Sequence, residues 1–485
     1  MSNFSPRASD SLINKSSLLI LLSSQILLLS LIPTLFFFDD LYISRNFLIF
    51  VFIECCLISF YGRSGNIFQI FLASVFIFNL ANPIFEAFGL YSYPIDKLML
   101  LGDGITMPIS NEVLNKTYIT MCCFLGGSSI GWILSLFFPY PTHRKISNVI
   151  IKLNLSFSYR KLISYIFYTT FILVVVNSIL LFYYSRIYGY IDIIHTHDTD
   201  LNIPIIFSIF ELLYKLVGSI FIFYSVNQKD FIRRSIVFLI PFWILFFAGS
   251  RGEAIAISLA LVLIYTNHYR FFNISKYIKY FLILFILGVL MGSYRWMSNP
   301  DLSILISNFI NLSAFHFFGN ASSLAVLSYT ILLQDQFFNS TPFVFGYFDS
   351  IFSFVPNYTI EGIMQKNYLA QHITYLLNPE KLLRGSTIGT SQSAEFYELV
   401  GGSLYLFSVL SALYIFASQF LLRIIFVNPI IFYLGLTYFE FFILSPRGSV
   451  FKFMNKESLV SFLIAVFFYL FFKLIRIKVS SKNSL

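Results

Sequence analysis

One short turn in the sequence places a guanidinium group where an anion would balance its charge. Arg251 lies in the run Gly249-Ser250-Arg251-Gly252-Glu253, between two apolar stretches. A charged side chain surrounded by hydrocarbon costs roughly 2.5–3.5 kcal/mol at a helix centre, and glycines allow the backbone to turn tightly and approach a ligand. Ser250 and Glu253 have capping-box spacing, which puts Arg251 at the positive end of a helix dipole. The turn therefore predicts an anion site; the alternative is a helix–helix turn whose arginine extends to lipid head groups.

Two further arginines have the same potential to bind an anion. Arg447 lies in the turn Pro446-Arg447-Gly448, and Arg384 lies near the end of a long segment between apolar runs. The planar guanidinium fork matches phosphate oxygens and stays charged in a low dielectric. Several such groups converging on one cavity would hold a lipid-linked diphosphate and stabilise the charge that builds on a leaving group. Alternatively, each arginine contacts lipid head groups separately.

Candidate proton acceptors lie a few residues after Arg384. Glu395 and Glu398 are three positions apart, so they share one face if the segment is helical. A carboxylate next to an acceptor hydroxyl can act as general base, and His372 is the alternative base. The competing interpretation of Glu395 and Glu398 is that they cap and anchor the apolar span that begins near residue 403.

Neither metal nor nucleotide chemistry is indicated by the remaining residues. The four cysteines form two adjacent pairs, Cys55-Cys56 and Cys122-Cys123, without the spacing of a zinc or redox site. The sequence has no P-loop and no glycine-rich nucleotide signature. We therefore expect no metal site and no cofactor. The net charge of +9 lies mostly in loops that border apolar runs, which argues against nucleic acid as a partner.

The composition is that of an integral membrane protein. Hydrophobic residues make up 57% of the 485 positions and charged residues 11%, against about 25% charged residues in a soluble domain. Apolar runs long enough for helices predict an all-α polytopic protein with about twelve transmembrane helices. The predicted spans are 16–38, 46–61, 67–80, 118–138, 162–184, 203–224, 231–248, 254–268, 277–292, 403–422, 429–444 and 458–475. Glu54, Glu211 with Lys215, and Glu440 are charges inside these spans, and Glu211 and Lys215 have the spacing of a helical ion pair.

The distribution of basic residues predicts the orientation of the chain. Lysines and arginines cluster in the loops 139–161, 225–234 and 267–280 and in the C-terminal tail. The positive-inside bias makes this side cytoplasmic, with both termini on it. Residues 1–292 then hold spans one to nine, residues 293–402 form a large, partly helical outer loop, and residues 403–485 hold the last three spans and the tail. All three arginines named above face the outer side.

These pieces together resemble the bacterial O-antigen polymerases, the Wzy-type oligosaccharide repeat-unit polymerases. The resemblance is carried by the turn at Arg251, by the segment Gly389-Thr390-Ser391 through Glu398 and Gly401-Gly402, and by the turn at Arg447. It implies a GT-C-like membrane glycosyltransferase of the bacterial inner membrane, with undecaprenyl-diphosphate-linked glycans as donor and acceptor and lipid around it. The resemblance also implies a chain-length regulator protein as a partner.

The resemblance gives each candidate residue a role. Arg251 and Arg447 would hold the diphosphate with help from Arg384, and Glu395, or failing it His372, would activate the acceptor hydroxyl. Gly249, Gly252 and Gly448 would let the backbone approach the substrate. Two other functions remain open: an O-antigen ligase or other lipid-linked glycosyltransferase, and a flippase for the lipid-linked unit.

Overall fold

The computed structural model describes residues 15–38, 40–61, 66–89, 108–138, 157–188, 205–248, 251–268, 323–337, 368–383 and 388–450, with residues 343, 346 and several between 460 and 467. The described residues are helical or in turns. The helices are α1 (Lys15–Leu31, continued by the 3-10 turn Ile32–Phe37), α2 (Leu41–Ser59), α3 (Ile67–Ala87), α4 (Asn111–Leu136), α5 (Phe157–Tyr188), α6 (Ile205–Phe223), α7 (Gln228–Ala248), α8 (Arg251–His268), α9 (Ser323–Leu332), α10 (Gln334–Phe337), α11 (Leu369–Leu377), α12 (Pro379–Leu383), α13 (Gln392–Leu399), α14 (Leu404–Ile424) and α15 (Pro429–Leu444).

Six of these helices are long and apolar enough to cross a membrane, namely α1 to α5 and α14. Ten of the twelve predicted spans coincide with helices, α1 to α8, α14 and α15. The predicted span 277–292 lies outside the described residues, and of 458–475 only a few helical residues are described. The chain is therefore an all-helical, multi-span protein in its described part, while the count of twelve crossings stays a prediction.

Helix α4 extends beyond its predicted span because polar residues lie inside it. α4 begins at Asn111 rather than near residue 118. Ser110 caps this first turn by accepting a hydrogen bond from the Val113 amide. Thr117 in its early turns is buried and donates to Ser328 of α9 at 3.0 Å. Buried polar groups of this kind are satisfied by neighbouring helices rather than by water.

The centre of the bundle is a close contact between α4 and α14. A Cβ added at Gly127 would lie 2.2 Å from the Ser408 carbonyl oxygen, and one added at Gly131 would lie 2.1 Å from the Ala412 carbonyl oxygen. The hydroxyl of Ser408 also donates to the Cys123 carbonyl at 3.2 Å. Small residues spaced four apart let two helix backbones approach closely inside a membrane. This seam holds α14 against α4, the most deeply buried of the six long apolar helices described.

A polar contact joins α1, α2 and α4 and explains one of the charges noted inside the spans. Glu54 of α2 accepts a hydrogen bond from the Gln25 side chain at 2.6 Å, and Ser129 of α4 donates to Gln25 at 2.6 Å. Polar side chains that face one another in this way help specify which helices pack together in a membrane. Glu54 therefore has a structural partner in the bundle.

One turn of α3 is widened. Residues Phe76–Leu80 form a π-helical turn, and the amide of Ala81 donates to the carbonyl of Phe76. Pro83 follows in the same helix, and a proline ring clashes with the carbonyl four residues earlier, here that of Asn79. Widening the helix just before the proline relieves this clash. As a result α3 continues to Ala87, past the predicted end at residue 80.

The predicted outer loop contributes buried structure. Helix α9 lies within the loop 293–402 that is predicted to be partly helical, and nearly all of its side chains are inaccessible to solvent. It packs against α4, α13 and the π turn of α3. A ten-residue helix in such a place is enclosed by protein, which is where short helices are tolerated at membrane depth.

Candidate functional site

The turn that carries Arg447 is formed by the last residues of α15 and those that follow. The amide of Arg447 donates to the Leu444 carbonyl at 2.9 Å, and the amide of Gly448 donates to the Ser445 carbonyl at 3.1 Å. The Arg447 side chain is exposed, and its guanidinium carbon lies 6.0 Å from the centre of the Phe78 ring. The turn thus presents a cation from a backbone that its own hydrogen bonds hold in place.

The segment that carries Glu395 is bonded directly to this turn. The amide of Gln392 donates to the Ser445 carbonyl at 2.9 Å, and the Ser445 hydroxyl donates to the Gln392 side-chain oxygen at 2.8 Å. The amide of Val450 donates to Glu395 Oε2 at 2.9 Å, and the Thr390 hydroxyl lies 3.4 Å from Glu395 Oε1. Two parts of the chain that the sequence analysis singled out separately therefore form one unit.

Local sequence explains why α13 is a short, isolated helix. Ser391 caps its first turn by accepting from the Ala394 amide at 3.2 Å. Gly401 and Gly402 follow with φ of +60° and +77°, and their amides bond to the Glu398 and Tyr397 carbonyls. Consecutive left-handed residues end a helix and reverse the chain, and only glycine adopts them without strain. These bonds hold Glu395 in α13, just before α14, where 5% of its surface is exposed.

The turn at Arg251 lies beside the same site. α8 begins at Arg251, as the capping pattern predicts. A Cβ added at Gly252 would be 3.8 Å from the Leu444 side chain, one turn before Arg447. The backbones that carry Arg251 and Arg447 are thus neighbours at the ends of two packed helices, α8 and α15. The side chain of Arg251 and the residues Gly249 and Arg384 lie outside the described part of the structure.

Beneath these turns, one lysine joins three helices through ion pairs. Lys215 of α6 contacts Glu253 of α8 at hydrogen-bond distance, Glu211 at 3.8 Å and Glu440 of α15 at 3.9 Å. The predicted pair of Glu211 and Lys215 is present, and it is part of this larger cluster. Glu253 contributes to the cluster as well; its predicted cap with Ser250 stays a prediction, since Ser250 lies outside the described residues. The two helices whose ends carry Arg251 and Arg447 are thereby fixed to each other.

Removing the lysine is expected to destabilise the protein by roughly 3 kcal/mol, since Lys215→Met leaves three carboxylates facing one another without a cation. Thermal unfolding of the detergent-purified variant measures the loss. Lys215→Met combined with Glu440→Gln should regain part of the lost Tm, because one fewer charge is then buried. An unchanged Tm for Lys215→Met would show that the cluster contributes nothing to stability.

His372 and Glu398 both contact a different residue, Phe343. The Phe343 amide donates to Glu398 Oε1 at 3.3 Å, and the rings of Phe343 and His372 are 4.5 Å apart between centres. Burial raises the pKa of Glu398 to about 7 and lowers the pKa of His372 to about 4. His372 is therefore neutral near pH 7, while Glu398 is close to half ionised. The ring of His372 thus lies against Phe343, the residue whose amide is bonded to Glu398.

The raised pKa of Glu398 gives a stability effect with a definite sign. Its folded-state pKa of about 7 exceeds the model-peptide value of 4.5, so its contribution is fully present below pH 4.5 and is lost as the pH rises through 7. We expect Glu398→Gln to gain Tm relative to the unaltered protein at pH 8 and not at pH 4.5. Paired thermal melts at the two pH values measure this, with Glu112→Gln, at an exposed carboxylate, as the matched control. An equal Tm difference at both pH values would contradict the assignment.

Several residues at this site were not singled out by the sequence analysis. Phe78 and Asn79 of the π turn contact the Arg447 turn, and Gln392 binds Ser445. The available signal was the polar, proline-containing string Asn79-Leu80-Ala81-Asn82-Pro83 in an otherwise apolar run. Buried amides and a proline within a membrane helix mark places where another segment satisfies the backbone.

The fold and the site together define a class: a polytopic helical membrane protein whose arginine-bearing turns meet a buried acidic segment. The chain matches, over residues 17–479, the family described as O-antigen polysaccharide polymerase Wzy. It therefore belongs to the O-antigen polymerase Wzy family, whose members act in polysaccharide biosynthesis. No curated protein and no solved structure matches the chain.

Proposed function

We propose that this protein is an O-antigen polymerase that transfers a growing glycan between undecaprenyl diphosphate carriers at the periplasmic face of the inner membrane. The family match supports a polymerase role in O-antigen biosynthesis. The lipid-linked donor and acceptor, the outer location and the cytoplasmic termini are the finer parts of the proposal. The GT-C-like architecture with about twelve spans belongs to it as well.

The observation that carries the proposal is the meeting of three segments at residues 444–450. Leu444 lies next to Gly252 in the first turn of α8, Ser445 is bonded to Gln392, and Val450 is bonded to Glu395. Cationic side chains next to a carboxylate are what a transfer from a diphosphate leaving group requires. Separate arginines contacting lipid head groups would not need an acidic segment bonded to their turn.

In the proposed reaction, the acceptor hydroxyl oxygen bonds to the anomeric carbon of the donor glycan. The bond from that carbon to the diphosphate oxygen breaks, and the electron pair leaves with undecaprenyl diphosphate. Arg447 and Arg251 stabilise this leaving anion, with Arg384 assisting, and Gly249, Gly252 and Gly448 keep the approach open. Glu395 accepts the hydroxyl proton, and Glu398 or His372 are the alternative acceptors.

The alternatives, a ligase or a flippase for the lipid-linked unit, are separated by one phenotype. A deletion strain should make lipopolysaccharide whose core carries a single repeat unit if the protein is a polymerase. Bare core with lipid-linked polymer accumulating at the outer face would indicate a ligase. Bare core with single units retained on the cytoplasmic side would indicate a flippase. Gel banding of lipopolysaccharide, followed by rescue with the intact chain, makes the distinction. The proposal also includes a chain-length regulator protein as partner. Loss of that partner would appear as a change in the modal length of the polymer.

A further inference from the structure

The π turn of α3 is hydrogen-bonded to the turn that carries Arg447. Asn79 is 1% exposed, and its side-chain nitrogen donates to the Pro446 carbonyl at 3.3 Å. That carbonyl belongs to the peptide group that leads into Arg447. Fixing its direction fixes the plane from which the arginine side chain departs. The bond links α3 to the turn that follows α15, so it is a tertiary contact and not one of the turn's own hydrogen bonds.

Phe78, the residue before Asn79, contacts the arginine head group. Its ring centre lies 6.0 Å from the Arg447 guanidinium carbon, which is at the outer limit of a cation–π interaction. Successive residues of a regular helix point about 100° apart, whereas the wider π turn changes this angle. The widened turn allows Phe78 and Asn79 to contact the same small turn of the chain.

Two buried polar atoms at this junction lack a protein partner among the described residues. They are the side-chain oxygen of Asn79 and the side-chain nitrogen of Gln392, and both residues are almost fully buried. The side-chain nitrogen of Asn79 donates to the Pro446 carbonyl, and the side-chain oxygen of Gln392 accepts from the Ser445 hydroxyl. Buried amides with half of their capacity unused are found where an ordered water completes the bonding.

We propose that Asn79 and Phe78 are positioning residues, and that the π turn of α3 aims the Arg447 guanidinium at the diphosphate of the lipid carrier. This inference rests on the proposed function, since it names the support of the same site. Neither residue contacts the reacting atoms, and both act through Arg447. π turns inside α-helices occur frequently at functional sites.

A double-mutant cycle tests the proposal on purified full-length protein in detergent, with undecaprenyl diphosphate as the probe. Native mass spectrometry or thermophoresis gives its Kd for the unaltered chain, Asn79→Leu, Arg447→Ala and the double variant. We expect Asn79→Leu to weaken binding about 5-fold, as loss of one neutral hydrogen bond does, and Arg447→Ala to weaken it by more than about 10-fold. The double variant should bind no more weakly than Arg447→Ala, because Asn79 acts only through the arginine.

Two controls separate positioning from a general effect on folding. Asn115→Leu removes a buried amide that bonds Ser44 of α2; its folded fraction should bind the probe as the unaltered chain does. Phe78→Tyr keeps the ring and should bind normally, whereas Phe78→Leu should weaken binding. The Phe78 pair also provides the test if Asn79→Leu fails to fold.

The outcomes are distinguishable. Normal binding by Arg447→Ala would overturn the diphosphate role of Arg447 and this inference with it. Weak binding by Arg447→Ala, with Asn79→Leu and Phe78→Leu both normal, would overturn the inference and leave the proposed function standing. A double variant weaker than Arg447→Ala by the full Asn79→Leu factor would show that Asn79 acts independently of the arginine.

Discussion

Arg447→Ala is expected to abolish visible polymer in a deletion strain, leaving core lipopolysaccharide that carries a single repeat unit. The guanidinium is presented on a turn held by its own hydrogen bonds and by α13. A preorganised donor aimed at developing negative charge contributes roughly 3 kcal/mol to transition-state stabilisation, so turnover should fall on the order of 100-fold. Gel banding at matched expression level measures polymer, and transfer between purified lipid-linked units measures the rate.

Two companion variants give this result its meaning. Arg447→Lys keeps the charge but loses the planar fork, so it should retain a small fraction of the activity. Lys116→Ala removes a cation from an exposed pair with Glu112 and should leave banding unchanged, because exposed ion pairs contribute little. Full-length polymer from Arg447→Ala at normal expression would exclude an essential role for this residue.

Gly131→Leu is expected to prevent accumulation of folded protein. Even a Cβ at this position would lie 2.1 Å from the Ala412 carbonyl oxygen, and backbone cannot move aside as a flexible side chain does. Overpacking typically costs about 1–3 kcal/mol where side chains can adjust, and here the obstacle is a helix backbone. We expect the loss of the monodisperse peak in fluorescence-detected size-exclusion chromatography of a tagged protein, and a smaller loss for Gly131→Ala.

The matched control lies on the same helix. Leu134 is 37% exposed on the outer face of α4, so Leu134→Ala should give a normal chromatographic peak. The clash at Gly131 involves the main chain of residue 412, so Ala412→Gly should not rescue Gly131→Leu. A normal peak for Gly131→Leu would mean that α4 and α14 are farther apart in the membrane than the structure places them.

The helices themselves were largely predictable from the sequence, and α15 shows why. Its predicted bounds, 429–444, are those observed, because Asn428 caps the first turn by accepting from the Ile431 amide and Pro429 occupies the first helical position. α3 shows the limit. Its predicted span ends at residue 80, because hydropathy does not reveal that another segment satisfies the buried amide of Asn79.

The meeting of the Glu395 segment with the Arg447 turn was harder to predict. The bond between Val450 and Glu395 joins positions 55 residues apart, and the bond between Asn79 and Pro446 joins positions 367 apart. Helical periodicity indicates which face of a helix is buried but not which distant segment covers it. The resemblance singled out the segments of Glu395 and Arg447 together, yet it did not include Phe78, Asn79 or the ion pairs of Lys215.

The bonds between α13 and the Arg447 turn have a mechanical consequence. α13 is hydrogen-bonded to this part of the chain at two points, Ser445 and Val450. A displacement of α13 therefore displaces the Arg447 turn in the same direction. Under the proposed function, a glycan that displaces α13 would therefore also displace Arg447, the residue proposed to bind the carrier diphosphate. Binding of the acceptor and release of undecaprenyl diphosphate would then depend on the same movement.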